Sequence, residues 1–378
     1  MNNKSFCSRL LLAGTLCSFS ISSVHAHSYG VGNADAYSGG GASNHAPIGV
    51  MGDHMHKKGE YMFSYRFSHM QMDGNRIGNQ EVSPTQILAT NPNPFFGLPG
   101  QPPTTRVVPT KMSMEMHMFG GMYAPTDWLT LMAMASYVEK SMDHTTFIVP
   151  PAGGGTTTFN TKSSGFGDTK IGAMFKLFET NVYNTNHHAH LNFNISIPTG
   201  SLSERAFVSA PNGLMPNLRL PYPMQLGSGT FDALPGLTYT GNYKKLGWGG
   251  QYMAEIRMER NNAGYAHGDK HTLTAWTSYE WVRWFSTSAR VIYNTQGKIR
   301  GGDPAIIAPV QTADPNNHGG RQLGVAFGFN LEGQSGVLKG HRLATEVILP
   351  LYRNLHGPQL ETDWRVVAGW QYANSFLQ

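Results

Sequence analysis

One segment, Lys111–Met142, restricts the fold of this chain more than any other part of the sequence. Its first half alternates between two sets of side chains, Met112, Met114, Met116 and Met118 in one set and Ser113, Glu115, His117 and Phe119 in the other. After a short Ala-Pro-Thr-Asp turn the alternation resumes, with Leu129, Leu131, Ala133, Ala135 and Tyr137 in one set. Because side chains alternate between the two faces of a strand, this segment is predicted to be a β-hairpin.

The length and number of such strands indicate a membrane barrel. Each predicted strand of the hairpin is longer than the five or six residues, roughly, of a usual strand. A closed sheet of long strands leaves no backbone group unpaired in lipid. Further alternating segments are Glu60–Asp73, Gly167–Phe178, His190–Ile197, a weaker Leu234–Tyr239, Trp248–Met258, His271–Trp281, Phe285–Asn294, Gln322–Leu331, Leu343–Leu349 and Trp364–Tyr372. The sequence therefore predicts an all-β protein, a transmembrane antiparallel β-barrel of about 12 strands.

The connections between the predicted strands support this interpretation. If the N-terminus is periplasmic, nearly every long connection lies outside the cell and every short turn lies inside, as in outer-membrane barrels. Four tryptophans then fall near the inner rim, where an aromatic girdle is expected: Trp128, Trp248, Trp284 and Trp370. An immunoglobulin-like or propeller arrangement does not predict this asymmetry.

The N-terminus indicates export. Residues 1–26 are predicted to be a signal peptide, with Lys4 and Arg9 before an apolar core and Val24-His25-Ala26 as the cleavage site. Both cysteines, Cys7 and Cys17, lie in this segment, so disulfide and thiolate chemistry are not expected in the mature chain. Export together with the strand pattern predicts a location in the outer membrane of a Gram-negative bacterium.

The mature chain is divided into two predicted regions. Residues 27–58 are small, polar and glycine-rich, and we expect an irregular periplasmic segment or a plug that enters the barrel. Residues 59–378 are expected to form the barrel. Lys and Arg are scattered without a basic stripe, which argues against nucleic acid as a partner.

With the apolar faces turned to lipid, a polar set is left for the barrel interior. It comprises Arg66, Glu115, His117, Lys170, Lys176, Asn192, Asn194, Glu255, Arg257, Arg290, Arg342, Glu346 and Arg365. One interpretation is that these groups pair with one another and fill a small barrel. The other is a narrow, weakly cationic channel that slightly favours anions.

Histidines and methionines concentrate near the start of the mature chain and suggest a metal site. The candidate ligands are His27, His45, His54, Met55, His56 and His69. Thioether and imidazole suit Cu(I) and similar soft ions, so copper is the candidate cofactor. The alternative is that the methionines are lipid-facing filler and that the histidines are solvated in a flexible segment.

An enzyme at the outer rim is a third hypothesis. Ser141, Asp143 and His144, or His267, could lie near such a rim. Chance pairs of this kind are common, and the sequence contains no G-x-S-x-G nucleophile motif. No catalytic residue is assigned, and we predict that the protein is not an enzyme.

Three short segments resemble a known family. Ser164–Gly172 and the Ile197-Pro198-Thr199-Gly200 strand end resemble the transporter-like family named after the meta-pathway of phenol degradation. Ala46–Glu60 resembles the start of uncharacterised outer-membrane proteins grouped near that family. The resemblance implies an outer-membrane barrel that passes small hydrophobic compounds, and it supplies no catalytic residues.

The expected function is therefore an outer-membrane channel or transporter for small molecules, including hydrophobic or aromatic ones. Metal binding or handling and a rim enzyme are the alternatives. The expected partners are outer-membrane lipid, a small-molecule substrate and the machinery that inserts barrels into the outer membrane.

Overall fold

A computed structural model describes residues 41–148 and 152–376, and these form an all-β barrel. The predicted signal peptide and residues 27–40 of the predicted N-terminal segment lie outside the described residues. None of the helices in the described part is long and apolar enough to span a membrane.

The strands follow one another with few helical interruptions. In chain order they are β1 (Glu60–Gly78), β2 (Gln80–Val82), β3 (Val107–Thr126), β4 (Leu129–Phe147), β5 (Thr156–Phe166), β6 (Thr169–Val182), β7 (Thr185–Ile197), β8 (Arg205–Phe207), β9 (Asn217–Arg219), β10 (Asp232–Tyr243), β11 (Leu246–Arg257), β12 (Tyr265–Ala266), β13 (Lys270–Val282), β14 (Phe285–Gln296), β15 (Arg300–Gly301), β16 (Gly320–Glu332) and β17 (His341–Ser375). One α-helix, α1 (Pro84–Thr90), follows β2. Short 3₁₀ helices occupy Ala42–Asn44, Tyr222–Met224, Gln311–Ala313 and Gly336–Leu338.

The sheet closes on itself through the pairing of β1 with β17. Glu60 lies opposite Ser375, and the antiparallel ladder continues from there along both strands. Eleven strand elements form the ring, while β2 and β5 pair outside it. The ring has one element fewer than the predicted number of about 12, because Leu343–Leu349 and Trp364–Tyr372 belong to the single element β17. Its first part pairs with β16 and its second part with β1.

Two details show how the sequence fits this wall. The strands β1, β3 and β4 have 19 or 20 residues, whereas β10 and β11 have 12, so the wall is taller on one side. Pro235 lies within β10, where the ladder to β11 has a gap between Ala233 and Gly236. Proline cannot donate to a ladder, so a gap in the pairing accommodates it.

Short and long connections alternate between the two ends of the barrel. Asp127–Trp128, Tyr183–Asn184, Lys244–Lys245 and Arg283–Trp284 are the tight turns at one end, called here the short-turn end. At the other end, the long-loop end, the connections carry β8–β9, β12–β15 and α1. An apolar cluster that includes Tyr222, Tyr265 and Ile306 packs these long connections together.

Candidate functional site

The barrel interior contains most of the residues predicted to line it. Eleven of the thirteen lie on the inward face: Arg66, Lys170, Lys176, Asn192, Asn194, Glu255, Arg257, Arg290, Arg342, Glu346 and Arg365. Their strands alternate between buried and exposed positions as expected for a closed sheet.

The prediction for β3 is wrong, because its two faces are reversed. Met118 lies directly opposite the inward Arg66, which places Met112, Met114 and Met116 inside as well. Glu115 and His117 therefore lie on the outer face. The error came from the assumption that the more apolar set of side chains faces lipid.

Polar groups on the outer face of β3 find partners on the neighbouring strand. His117 Nδ1 lies 2.8 Å from the hydroxyl of Tyr65, and His69 Nδ1 lies 3.1 Å from a carboxylate oxygen of Glu115. These cross-strand pairs are satisfied without any contact to the lumen. The inward methionines pack instead against a long loop, because Met112 and Met142 form a buried cluster with Leu220 and Met224.

Residues 41–58, called here the inner segment, cross the lumen near the short-turn end. The hydroxyl of Ser286 donates to the carbonyl of Ala42, and the backbone N–H of His56 donates to Thr130. Between these points Ile48 is buried against Ala344 and Val367 of the wall. The inner segment thus contacts the wall on several sides of the barrel.

Gly52 lies at the inner turn of this segment. Its φ of +61° is in the left-handed region, and a Cβ at this position would lie 2.7 Å from Oδ1 of Asn192. Its carbonyl oxygen is 2.9 Å from Nε2 of His190 and 3.4 Å from Nε2 of Gln251. The segment can approach the wall this closely because residue 52 has no side chain.

A buried ion pair holds the middle of the inner segment. Arg290 donates from Nε and Nη2 to the two carboxylate oxygens of Glu346, at 2.7 and 2.8 Å. Gly49 adds its backbone N–H to the same carboxylate at 3.1 Å. A bidentate pair is among the strong hydrogen-bonded arrangements, and here it is also joined to the segment that fills the lumen.

A cavity of about 340 Å³ lies in the lumen beside the inner segment. This size falls in the range of about 300–1,000 Å³ that is typical of small-molecule sites. Apolar side chains cover part of its wall, among them Met70, Met132, Met134, Met253 and Ile292. The other part is polar, with Lys170, Asn192, Asn194, Glu255, Lys270 and Arg365. The cavity therefore suits a molecule that has an apolar body and a polar group.

Cationic side chains outnumber carboxylates on the lining of this cavity. Glu255 is joined to Arg257. Among the described residues, Lys170, Lys270 and Arg365 have no ion-pair or hydrogen-bond partner for their side chains. Three cations that form no ion pair or hydrogen bond in the described part of the chain therefore face the cavity, and Lys170 and Lys270 interact with the Glu255 carboxylate only beyond ion-pair distance. Sequence reasoning found Lys170 and Arg365 but missed Lys270, which lies on the same inward face of β13 as Thr272 and Thr274.

A second cavity, of about 290 Å³, lies nearer the short-turn end. It brings together three of the predicted metal ligands, His45, His54 and His56, and Met55 also lines it. His188 and His190 of β7 add two imidazoles that sequence reasoning did not assign. His69 lies elsewhere, on the outer face beside Glu115, and His27 lies outside the described residues.

Burial and neighbouring charges shift the pKa values of His45, His56 and Asp53. Burial, together with the neighbouring guanidinium of Arg342, lowers the pKa of His45 below its usual value. Burial also lowers the pKa of His56. Although burial acts to raise it, the pKa of Asp53 is well below its usual range because His54 and Arg342 are close. The cluster thus holds the neutral imidazoles of His45 and His56 beside the ionised carboxylate of Asp53.

The residues considered for a rim enzyme are not brought together. Ser141 and Asp143 lie on the outer face of β4, where both contact Asn160. His144 points inward, is buried and stacks on Phe159 with 4.6 Å between the ring centroids. His267 belongs to a different connection at the long-loop end.

Two of the segments that carry the family resemblance, Ser164–Gly172 and Ile197–Gly200, meet at the long-loop end of β6 and β7. Asp168 accepts hydrogen bonds from the backbone N–H of Gly200 at 3.0 Å and of Ser228 at 2.7 Å. The Thr199 hydroxyl donates to the carbonyl of Gly167 at 3.0 Å. These residues fasten a long loop to the wall, so the motif has a structural role here.

Comparisons with known proteins identify the fold. No family model and no curated protein matches the chain. A crystal structure of an outer-membrane channel from Pseudomonas putida F1 matches with a TM-score of 0.52 and 13% identity, over 86% of this chain and 100% of that chain. A mutant of TodX, described as a monoaromatic hydrocarbon channel, matches with a TM-score of 0.40 and 12% identity, over 85% of this chain and 91% of the other. The second score is too low to support an argument.

The first match shows that this chain has the fold of an outer-membrane β-barrel. The resemblance to the meta-pathway family stays a prediction, since no family model matches.

Proposed function

We propose that the protein is a channel in the outer membrane that passes small organic anions with an apolar body. The observation that carries this proposal is a set of three cations that form no ion pair or hydrogen bond among the described residues, Lys170, Lys270 and Arg365, around a cavity that methionines also line. Such a lining attracts a negative group electrostatically while the methionines contact an apolar body.

The match to an outer-membrane channel supports the transport role and the location. The two-ended architecture also supports it, since outer-membrane barrels have short turns on the periplasmic side and long loops outside. With this orientation the inner segment lies on the periplasmic side of the cavity. Release of a solute into the periplasm then requires the inner segment to move or a path to open beside it.

Solutes of similar size and different charge test the proposal. Liposomes that contain the refolded mature chain are swollen in isosmotic benzoate, benzyl alcohol and benzylammonium. We expect benzoate to enter several times faster than benzylammonium, because the lining cations attract one and repel the other.

A triple variant and a matched control assign the selectivity to the cavity. Lys170→Met, Lys270→Met and Arg365→Met together should bring the ratio of the two rates towards one. Methionines in place of Lys162, Lys244 and Lys339, which are exposed and do not line the cavity, should leave this ratio unchanged. Equal rates for the two solutes in the unmodified chain, or entry no faster than into protein-free liposomes, would overturn the proposal.

A further inference from the structure

The cavity near the short-turn end contains a compact set of metal-binding atoms that the channel proposal does not use. One donor atom from each of His45, Asp53 and His54 lies within 4.8 Å of the others. A tetrahedral ion with bonds of about 2.1 Å holds its donor atoms about 3.4 Å apart. The donor atoms would therefore have to approach one another by at most about 1.4 Å to bind such an ion.

The chain holds these donors in place by local contacts. Oδ2 of Asp53 accepts the backbone N–H of Ala46 at 3.2 Å, which ties together the two limbs of the inner segment. Oδ1 of the same carboxylate lies 3.1 Å from Nδ1 of His54. Groups that orient metal ligands through the second atom of a carboxylate or imidazole are typical of metal sites.

The wall of the barrel adds a carboxylate. Oε1 of Glu332 lies 3.9 Å from Nε2 of His45. Lys176, a cation on the same cavity, is paired with Glu179 at 2.7 Å. Asp53 and Glu332 thus place two carboxylates beside the donors, and the guanidinium of Arg342 is a cation that also neighbours His45 and Asp53.

We propose that His45, Asp53 and His54 form a site for a divalent transition-metal ion of the zinc type. Two imidazoles and one carboxylate suit Zn²⁺, Ni²⁺ or Cu²⁺ better than Cu(I), which prefers sulfur ligands. The ion differs in class from the copper(I) that the methionine-rich sequence suggested. Because the ligands come from both limbs of the inner segment, the ion would hold the segment in its folded shape.

Titration of the refolded full mature chain with Zn²⁺ tests the site. Calorimetry should show one ion per chain that is lost, or bound at least about tenfold more weakly, when His45→Gln and His54→Gln are combined. Co²⁺ supplies a second readout, since an ion held by these ligands gives visible absorption bands that the double variant should lack.

The controls separate this site from other histidines. His117→Gln with His271→Gln removes two outer-face imidazoles that are paired with tyrosines, and it should leave the titration unchanged. Asp53→Asn keeps an acceptor for Ala46 and removes the charge, so it tests the site in a chain that keeps its fold. Undiminished Zn²⁺ binding in the double variant and in Asp53→Asn, with the heat-modifiable mobility of a folded barrel, would overturn the proposal. The metal titration does not depend on solute transport, so either proposal can fail alone.

Discussion

The carboxylate of Glu346 in the barrel wall accepts a hydrogen bond from the backbone N–H of Gly49 in the inner segment, with 3.1 Å between the two atoms. The same carboxylate is the bidentate partner of Arg290. An interior ion pair therefore does two things, since it neutralises charge in the lumen and anchors the segment that crosses it.

Loss of this carboxylate should destabilise the barrel. Glu346→Gln leaves the guanidinium of Arg290 buried without its counter-charge, and breaking a buried pair costs about 3–5 kcal/mol. The free energy of unfolding in urea, followed by tryptophan fluorescence in detergent micelles, measures the loss.

Two further variants identify the cause. Glu81→Gln removes the carboxylate of an ion pair with Arg76 in which the Glu81 side chain is 78% exposed, so its effect should stay below about 1 kcal/mol. Replacing Arg290 and Glu346 together by Met and Leu should recover part of the stability, because both members of the buried pair are gone while the Gly49 N–H loses its acceptor. A double variant as unstable as Glu346→Gln would show that the uncompensated charge of Arg290 does not explain the loss.

Displacing the inner segment should open the lumen. Gly52→Val introduces a Cβ within 2.7 Å of the Asn192 side chain at a position with positive φ, so the turn at residue 52 can no longer lie against the wall. Deletion of residues 27–58 removes the segment altogether. Both changes should raise the single-channel conductance in a planar lipid bilayer above that of the unmodified chain.

Gly100→Val is the matched control for Gly52→Val. Gly100 also has a positive φ, of +74°, but a Cβ there meets no atom within 4 Å. The single-channel conductance of the Gly100→Val variant should equal that of the unmodified chain. Unchanged conductance after deletion of residues 27–58 would mean that the inner segment does not limit the flow of ions.

The reversed faces of β3 can be tested at two adjacent positions. Both cysteines of the sequence precede residue 27, so single cysteines can be placed in the mature chain without background. Bimane on His117→Cys should be quenched by nitroxide-labelled or brominated lipid, because residue 117 lies on the outer face. The same label on Met116→Cys should be protected, since residue 116 faces the lumen. The opposite result would restore the sequence-based prediction.

Acid should loosen the packed connections at the long-loop end. Burial lowers the pKa of His318 to about 4, and its Nε2 donates to the carbonyl of Thr312 at 3.1 Å. An unfolded loop titrates near pH 6.5, so it binds more protons than the folded one between about pH 6.5 and 4. Stability of the loop therefore falls as the pH falls through this window, by about 2 kcal/mol at pH 5.

Hydrogen exchange of residues 297–319 measures this effect. Protection should decrease between pH 7 and pH 5 after correction for the intrinsic exchange rate. His318→Gln keeps a donor for Thr312 and has no group that titrates, so its protection should depend less on pH. An equal pH dependence in the two chains would assign the effect to other groups.

Alternation of side chains predicted the inward face correctly in β1 and wrongly in β3. Alternation along β1 correctly placed Arg66 inside and Phe63 outside, because aromatic and polar residues occupy opposite faces there. In β3 one set of side chains is all methionine from Met112 to Met118 and the other is mixed, and hydropathy alone chose the wrong set to face lipid. The pairing of His117 with Tyr65 and of Met118 with Arg66 depends on the register between two strands, which a single strand does not reveal.

The sequence by itself determined the strands, their alternation and the order of short and long connections. These depend on local periodicity and turn residues, which act over a few neighbouring positions. Only the tertiary structure decided that His45 lies with Asp53 and His54 in one cluster, that Lys270 joins Lys170 and Arg365 around one cavity, and that Gly49 meets Glu346. Those contacts join residues as far as 297 positions apart, and they arise when the closed sheet brings distant strands around one lumen.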